Sequence, residues 1–156
     1  MRQPSFRGRL VAAIAVATLV GFGAGARAQE DWRLPGLSGG ALSAADVGRG
    51  TTVLVVWAGW SPRCHDIVER TNALVAKWGG RARVALVDFQ EEPAEVSSFL
   101  AGKSPRAAVY LDADGAFAKR HQVTTLPGLV VYHDGAVAYQ GRLPDDPDKV
   151  LSDLLP

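Results

Sequence analysis

One side chain decides most of the chemistry open to this sequence: Cys64 is the single cysteine among 156 residues. It closes the segment Trp57-Ala58-Gly59-Trp60-Ser61-Pro62-Arg63-Cys64, with the hydroxyl of Ser61 three positions ahead of it. A thiolate is a nucleophile, a metal ligand and one half of a disulfide. A lone thiolate can form a mixed disulfide with another molecule, but this chain holds no second thiol to resolve that bond. Ser61 can donate a hydrogen bond to a Cys64 thiolate. It can equally act as a helix N-cap, a role worth about 1 kcal/mol. A third reading makes Cys64 a small buried hydrophobe with no reactivity.

Other chemistry finds less support. Cys64 and His65 are neighbours on a helical segment, where successive side chains point about 100° apart, so they make a poor chelating pair. His121 and His133 fall at a helix end and a hairpin turn, where solvated histidines are common. Asp112 and Asp114 alternate near Gly115 but lack the remaining ligands of a calcium loop. Neither a metal nor a cofactor is expected. Trp57, Trp78, Phe89 and Phe99 read as core, and Glu91, Glu92 and Glu95 as a solvated face.

The elements that must position Cys64 follow from the pattern around it. Residues 51–57 are a β-rich apolar run too continuous for a half-exposed strand, so they form a central buried one. Ser61 and Pro62 suit the cap and first position of a helix. Ile67, Val68, Thr71, Leu74, Val75 and Trp78 then recur at helical spacing until Gly79-Gly80. Further strands are expected at 84–89, 107–111, 129–132 and 136–140, and helices at 93–100, 116–121 and 146–155. His133-Asp134-Gly135 joins the last two strands as a hairpin. Ahead of the first long strand, residues 32–47 suit a short hairpin with a Gly39-Gly40 turn, then a brief helical turn capped by Ser43. Strands alternating with helices give an α/β architecture, a central mixed sheet flanked by helices.

Residues 1–28 read as a signal peptide. Arg2, Arg7 and Arg9 precede an apolar run over 10–20, and Ala26-Arg27-Ala28 has the small-x-small form of a cleavage site. The run is shorter than a spanning helix wants, so cleavage before Gln29 is favoured over retention as an anchor. Export to the periplasm, an oxidising compartment, follows, with residues 29–156 as one soluble domain. Losing the leader removes four of 17 basic residues and none of 16 acids, leaving a net charge of about −3. Such a domain has no basic field for nucleic acid.

In this setting the motifs resemble those of exported thioredoxin-like proteins of the TlpA/ResA type, the periplasmic disulfide reductases associated with cytochrome c maturation. Residues 32–51 look like that family's leading hairpin, and 53–64 like its strand and active-site turn. Residues 107–121 look like its inserted strand, D-x-D-G turn and short helix, and 123–127 like its cis-proline segment. The resemblance implies the thioredoxin-like fold. It places Trp60 before the active turn, Ser61 where the nucleophilic cysteine stands, Cys64 at the resolving cysteine and Pro127 at the cis-proline. Val55 falls where the family often carries a proton-transferring acid, so nucleophile and relay are lost together. The implied partners are client proteins or peptide thiols, with cytochrome c maturation components entering through the resemblance. Trp60, Leu126 and Pro127 would bind the client, whose extended backbone pairs beside Leu126. Three functions remain open: a redox-related accessory acting through a mixed disulfide at Cys64, a redox-silent binding or assembly module, and a single-cysteine thiol peroxidase. The last rests on the similarity of S-x-x-C to the peroxiredoxin T-x-x-C. That motif wants a proline seven residues before its cysteine, where this chain has Trp57.

Overall fold

The seven residues of β3 (Thr51–Trp57) are buried without exception. Their β-branched and aromatic side chains point alternately to opposite faces of a sheet, so each face needs its own covering layer. The computed structural model describes residues 31–155, and the leader expected over 1–28 lies outside them. Around β3, a five-stranded sheet is ordered β5 (Ala108–Asp112), β4 (Ala82–Phe89), β3, β6 (Gly128–His133), β7 (Ala136–Arg142). β3, β4 and β5 run parallel, while β6 and β7 are antiparallel to their neighbours.

Two apolar layers sandwich this sheet. On one face Val53, Val55 and Trp57 of β3 meet α1 (Ile67–Trp78), α2 (Pro93–Leu100) and α4 (Pro147–Leu154) through residues such as Ile67, Leu74, Val96 and Leu151. On the other, Leu54 and Val56 meet Trp32 and Leu34 of the leading hairpin and Phe117 of α3 (Ala116–Arg120). That hairpin pairs β1 (Arg33–Pro35) with β2 (Ala41–Ser43). α4 is fastened to α1 by Asp148, whose carboxylate accepts hydrogen bonds from Trp78 Nε1 at 2.7 Å and Lys77 Nζ at 2.5 Å.

The local signals act as their chemistry requires in most places. Asp134 and Gly135 take φ values of 47° and 79° in the β6–β7 turn, the conformation for which Asp-Gly is suited. The Asp134 carboxylate also accepts the Gly50 N–H at 2.8 Å, tying that turn to the start of β3. Ser43 and Asp46 form the anticipated cap of the turn at 44–47. One expectation fails. The helix after Ser61 does not begin at Pro62: a single 3₁₀ turn spans Pro62–Cys64, and α1 starts only at Ile67. Ser61 makes no capping hydrogen bond with its side chain.

Candidate functional site at the strand-to-helix turn

β3 delivers the chain to Trp57 and Ala58, both fully buried, and the next residues turn outward. Trp60 emerges with 62% of its surface exposed, a large apolar side chain left open to solvent. Ser61 then folds back: its N–H donates to Ala58 O at 3.2 Å, and its carbonyl accepts the Cys64 N–H at 2.9 Å. The second of these closes the tight turn and directs the Cys64 side chain inward. Cys64 is 0% exposed and packs in the core with Trp57, Ile67 and Leu129.

The Ser61 side chain stands beside Cys64 and acts to lower its thiol. Burial pushes the Cys64 thiol above its ordinary value, and this outweighs the opposing hydrogen bonds from the Ala58 backbone and Ser61. A thiol activated as thiolate would titrate below a free cysteine. The direction is the reverse of what a nucleophile requires, and its cause is desolvation.

On one side of the turn lies the segment that ends in a cis peptide bond between Leu126 and Pro127. Leu126 is partly buried and packs against both core layers, and Pro127 is buried. A cavity of about 360 Å³ is lined by Arg63, His65 and Asp66 from the turn and by Thr125, Leu126 and Pro127 opposite. The two segments therefore face each other across one cleft. No hydrogen bond among the described residues uses Thr124, Thr125 or Leu126. Their backbone N–H and C=O groups form a short unpaired edge beside the cleft, available to an extended chain.

On the other side stand two carboxylates that the sequence reading did not single out as a site. Glu91 accepts the Gly59 N–H through Oε2 at 2.5 Å, which binds the loop after β4 to this turn. Glu91 is thus a structural partner of the turn rather than part of a solvated face. Beneath it lies Asp88, fully buried at the end of β4 and paired in register with Trp57. The position where an acid was sought, Val55, is a buried core residue, and the acid next to this turn comes from the neighbouring strand. The sequence signal was present as a lone Asp at the end of the apolar run 84–87, opposite a strand that ends in the motif.

The remaining candidates resolve into structure. His121 is buried, not solvated: the Tyr132 hydroxyl lies 2.8 Å from its Nε2, and the Phe117 ring packs against it. His133 is exposed and its Nδ1 meets the Thr51 hydroxyl at 2.8 Å. Asp112 accepts the N–H groups of Phe117 and Ala118 at 3.0 and 2.9 Å, so its carboxylate serves the start of α3. Among the described residues no group of three His, Cys, Asp or Glu side chains is arranged to hold a metal ion.

Comparison with solved structures places this architecture in the thioredoxin-like class. An exposed lipoprotein thioredoxin of Streptococcus pneumoniae superposes with a TM-score of 0.70 at 19% identity, covering 80% of this chain and 98% of that one. A candidate thiol:disulfide interchange protein DsbE from Chlorobium tepidum gives 0.69 at 24% identity, covering 81% and 92%. A secreted disulfide oxidoreductase of Mycobacterium tuberculosis, homologous to Escherichia coli DsbE, gives 0.63 at 22% identity, covering 74% and 85%. No protein-family model and no curated protein sequence matches the chain. The chain has the thioredoxin-like fold, and the solved proteins it is similar to include thiol–disulfide oxidoreductases. No helix among the described residues is long and apolar enough to cross a membrane.

Proposed function

We propose that this protein is an exported relative of the TlpA/ResA-type oxidoreductases that holds extended segments of client polypeptides and does not cycle a disulfide. Residues 1–28 direct it to the periplasm, and Trp60, Leu126 and Pro127 form the client surface. The observation that carries this reading is the fate of the one sulfur. Cys64 is fully buried and its thiol is pushed up by desolvation, while Trp60 and the unpaired edge at 124–126 stay open beside it. The chemistry-bearing half of a thioredoxin site is reduced to core packing, and the client-binding half persists. That favours the redox-silent module over the mixed-disulfide accessory. It also disfavours the thiol peroxidase, which needs an accessible thiolate.

Binding to an array of short cysteine-free peptides tests the proposal. Wild-type protein and Cys64→Ala should retain the same peptides, and Trp60→Ala should lose them. Loss of binding in Cys64→Ala, or no retention by the wild type, overturns it. The natural clients, by resemblance, include thiol-bearing proteins such as cytochrome c maturation components.

A further inference from the structure

Asp88 has an arrangement that core packing does not explain. Its side chain is 0% exposed. Oδ1 accepts the Glu91 N–H at 3.2 Å, and Oδ2 is buried with no hydrogen-bond partner among the described residues. A buried carboxylate oxygen with no donor is costly, and a second carboxyl group beside it, that of Glu91, adds to the cost of ionising Asp88. A proton on Asp88 removes that cost. Burial and the neighbouring Glu91 together push Asp88 up to about 8.

Among the described residues no ion pair neutralises either carboxyl group. Glu95 of α2 adds a further negative group facing Asp88. On the β3 side the neighbours are Trp57 and Gly59, and on the β5 side Leu111 pairs with Asp88 in register. Lys103 lies over the Phe99 ring at 4.7 Å, and among the described residues no ion pair reaches Asp88 or Glu91. The other end of the pair is the turn after β3. Glu91 Oε2 holds the Gly59 N–H, and the turn fits so closely that a Cβ on Gly59 would lie 3.0 Å from Glu91 Oε1 and 3.1 Å from the Phe99 ring. Gly59 immediately precedes Trp60.

We infer that Asp88 and Glu91 are positioning residues acting as one carboxyl pair, which fixes the turn bearing Trp60 while it holds a proton and frees the turn when that proton leaves. The inference rests on the client-surface reading only in giving Trp60 a purpose. With the proton on Asp88 the pair carries a single negative charge, and Glu91 stays against Gly59. Without it, two negative charges meet at the end of β4 with no ion pair among the described residues to offset them. Glu91, the half-buried partner, swings toward solvent and the Gly59 N–H loses its acceptor. The sign of the linkage is fixed. An acid with a raised folded value binds a proton that the unfolded chain has released, so this pair favours the native state most below about pH 4, progressively less up to about 8, and changes little beyond.

Solvent exchange of the Gly59 amide, followed by NMR across pH 6–9.5 and corrected for intrinsic base catalysis, tests this without any client. In the wild type, protection of Gly59 should fall at least tenfold through a single transition centred near pH 8. In Asp88→Asn, and in the more conservative Glu91→Gln should the first variant fold poorly, protection should stay flat over the same range. No transition in the wild type over this range, or one near 8 that survives either substitution, overturns the inference. Peptide retention is read separately. A pH-sensitive Gly59 in a protein that binds no peptide sinks the client reading and leaves the pair standing; peptide binding with a pH-insensitive Gly59 does the reverse.

Discussion

Replacing Ser61 by cysteine asks whether this turn still has the geometry of a disulfide-forming site. The Ser61 side chain stands beside Cys64, where it acts to lower the thiol, and the Ser61 carbonyl accepts the Cys64 N–H at 2.9 Å. A sulfur in place of Oγ is therefore expected within reach of Cys64, as a disulfide demands. The bond would close a loop of four residues, 61–64. Chain entropy for so small a loop gives about 2 kcal/mol of stabilisation. For a domain of this size 1 kcal/mol shifts the melting temperature by roughly 3–5 °C, so the oxidised variant should melt roughly 6–10 °C above its reduced form. Two assays decide: thiol titration of the unfolded variant after exposure to glutathione disulfide, and thermal melts with and without reductant. Zero free thiols per chain and a melting difference that vanishes in the wild type support the geometry. Two free thiols after oxidation, or mixed glutathione adducts in place of the internal bond, would refute the claim that Cys64 is the inner member of a former pair.

Two further outcomes follow from burial. Cys64 has no exposed surface and a raised thiol, so it should react with a small alkylating reagent at least 10³-fold more slowly in the native protein than in denaturant, because labelling must wait for opening. Native labelling within tenfold of the denatured rate would return the mixed-disulfide accessory to first place. Asp112→Ala strands the buried N–H groups of Phe117 and Ala118 and should cost about 2–4 kcal/mol in chemical denaturation, with a change under 1 kcal/mol counting against the assignment.

The strands were legible because a sheet covered on both faces leaves little choice of sequence. The run 51–57 is apolar at every pleat, and all of it is buried. The β6–β7 hairpin was legible through Asp134-Gly135, whose positive φ values few other residue pairs tolerate. The strand-to-helix turn that carries Cys64 was legible as a place in the fold, and the start of its helix was misread. Ser61-Pro62 carries sound local signals for a helix start, yet the Ser61 hydroxyl makes no capping hydrogen bond, a single 3₁₀ turn follows, and α1 waits until Ile67. Glu91 in a Glu91-Glu92 pair reads as solvent-facing, and nothing nearby in sequence reveals that Gly59, 32 residues earlier, takes it as an acceptor. His121 fails for the same reason, since its partner Tyr132 arrives from a different element.

What persists at the turn also argues against a scaffold that has simply decayed. A tryptophan side chain offers roughly 150–250 Å² of surface, so one that is 62% exposed leaves on the order of 3 kcal/mol of burial unrealised in the free protein. An edge of three residues, 124–126, is likewise left without hydrogen bonds although it sits beside a cleft. Neither feature stabilises the free fold. Both become favourable when an extended chain covers Trp60 and pairs along that edge, and neither needs the missing sulfur. Meanwhile the Glu91–Gly59 bond keeps the tryptophan's turn in place from behind, independently of Cys64. On the proposed reading, a polypeptide-binding face outlives redox chemistry because the groups proposed to hold a client, Trp60 and the 124–126 edge, are different atoms from the sulfur at Cys64.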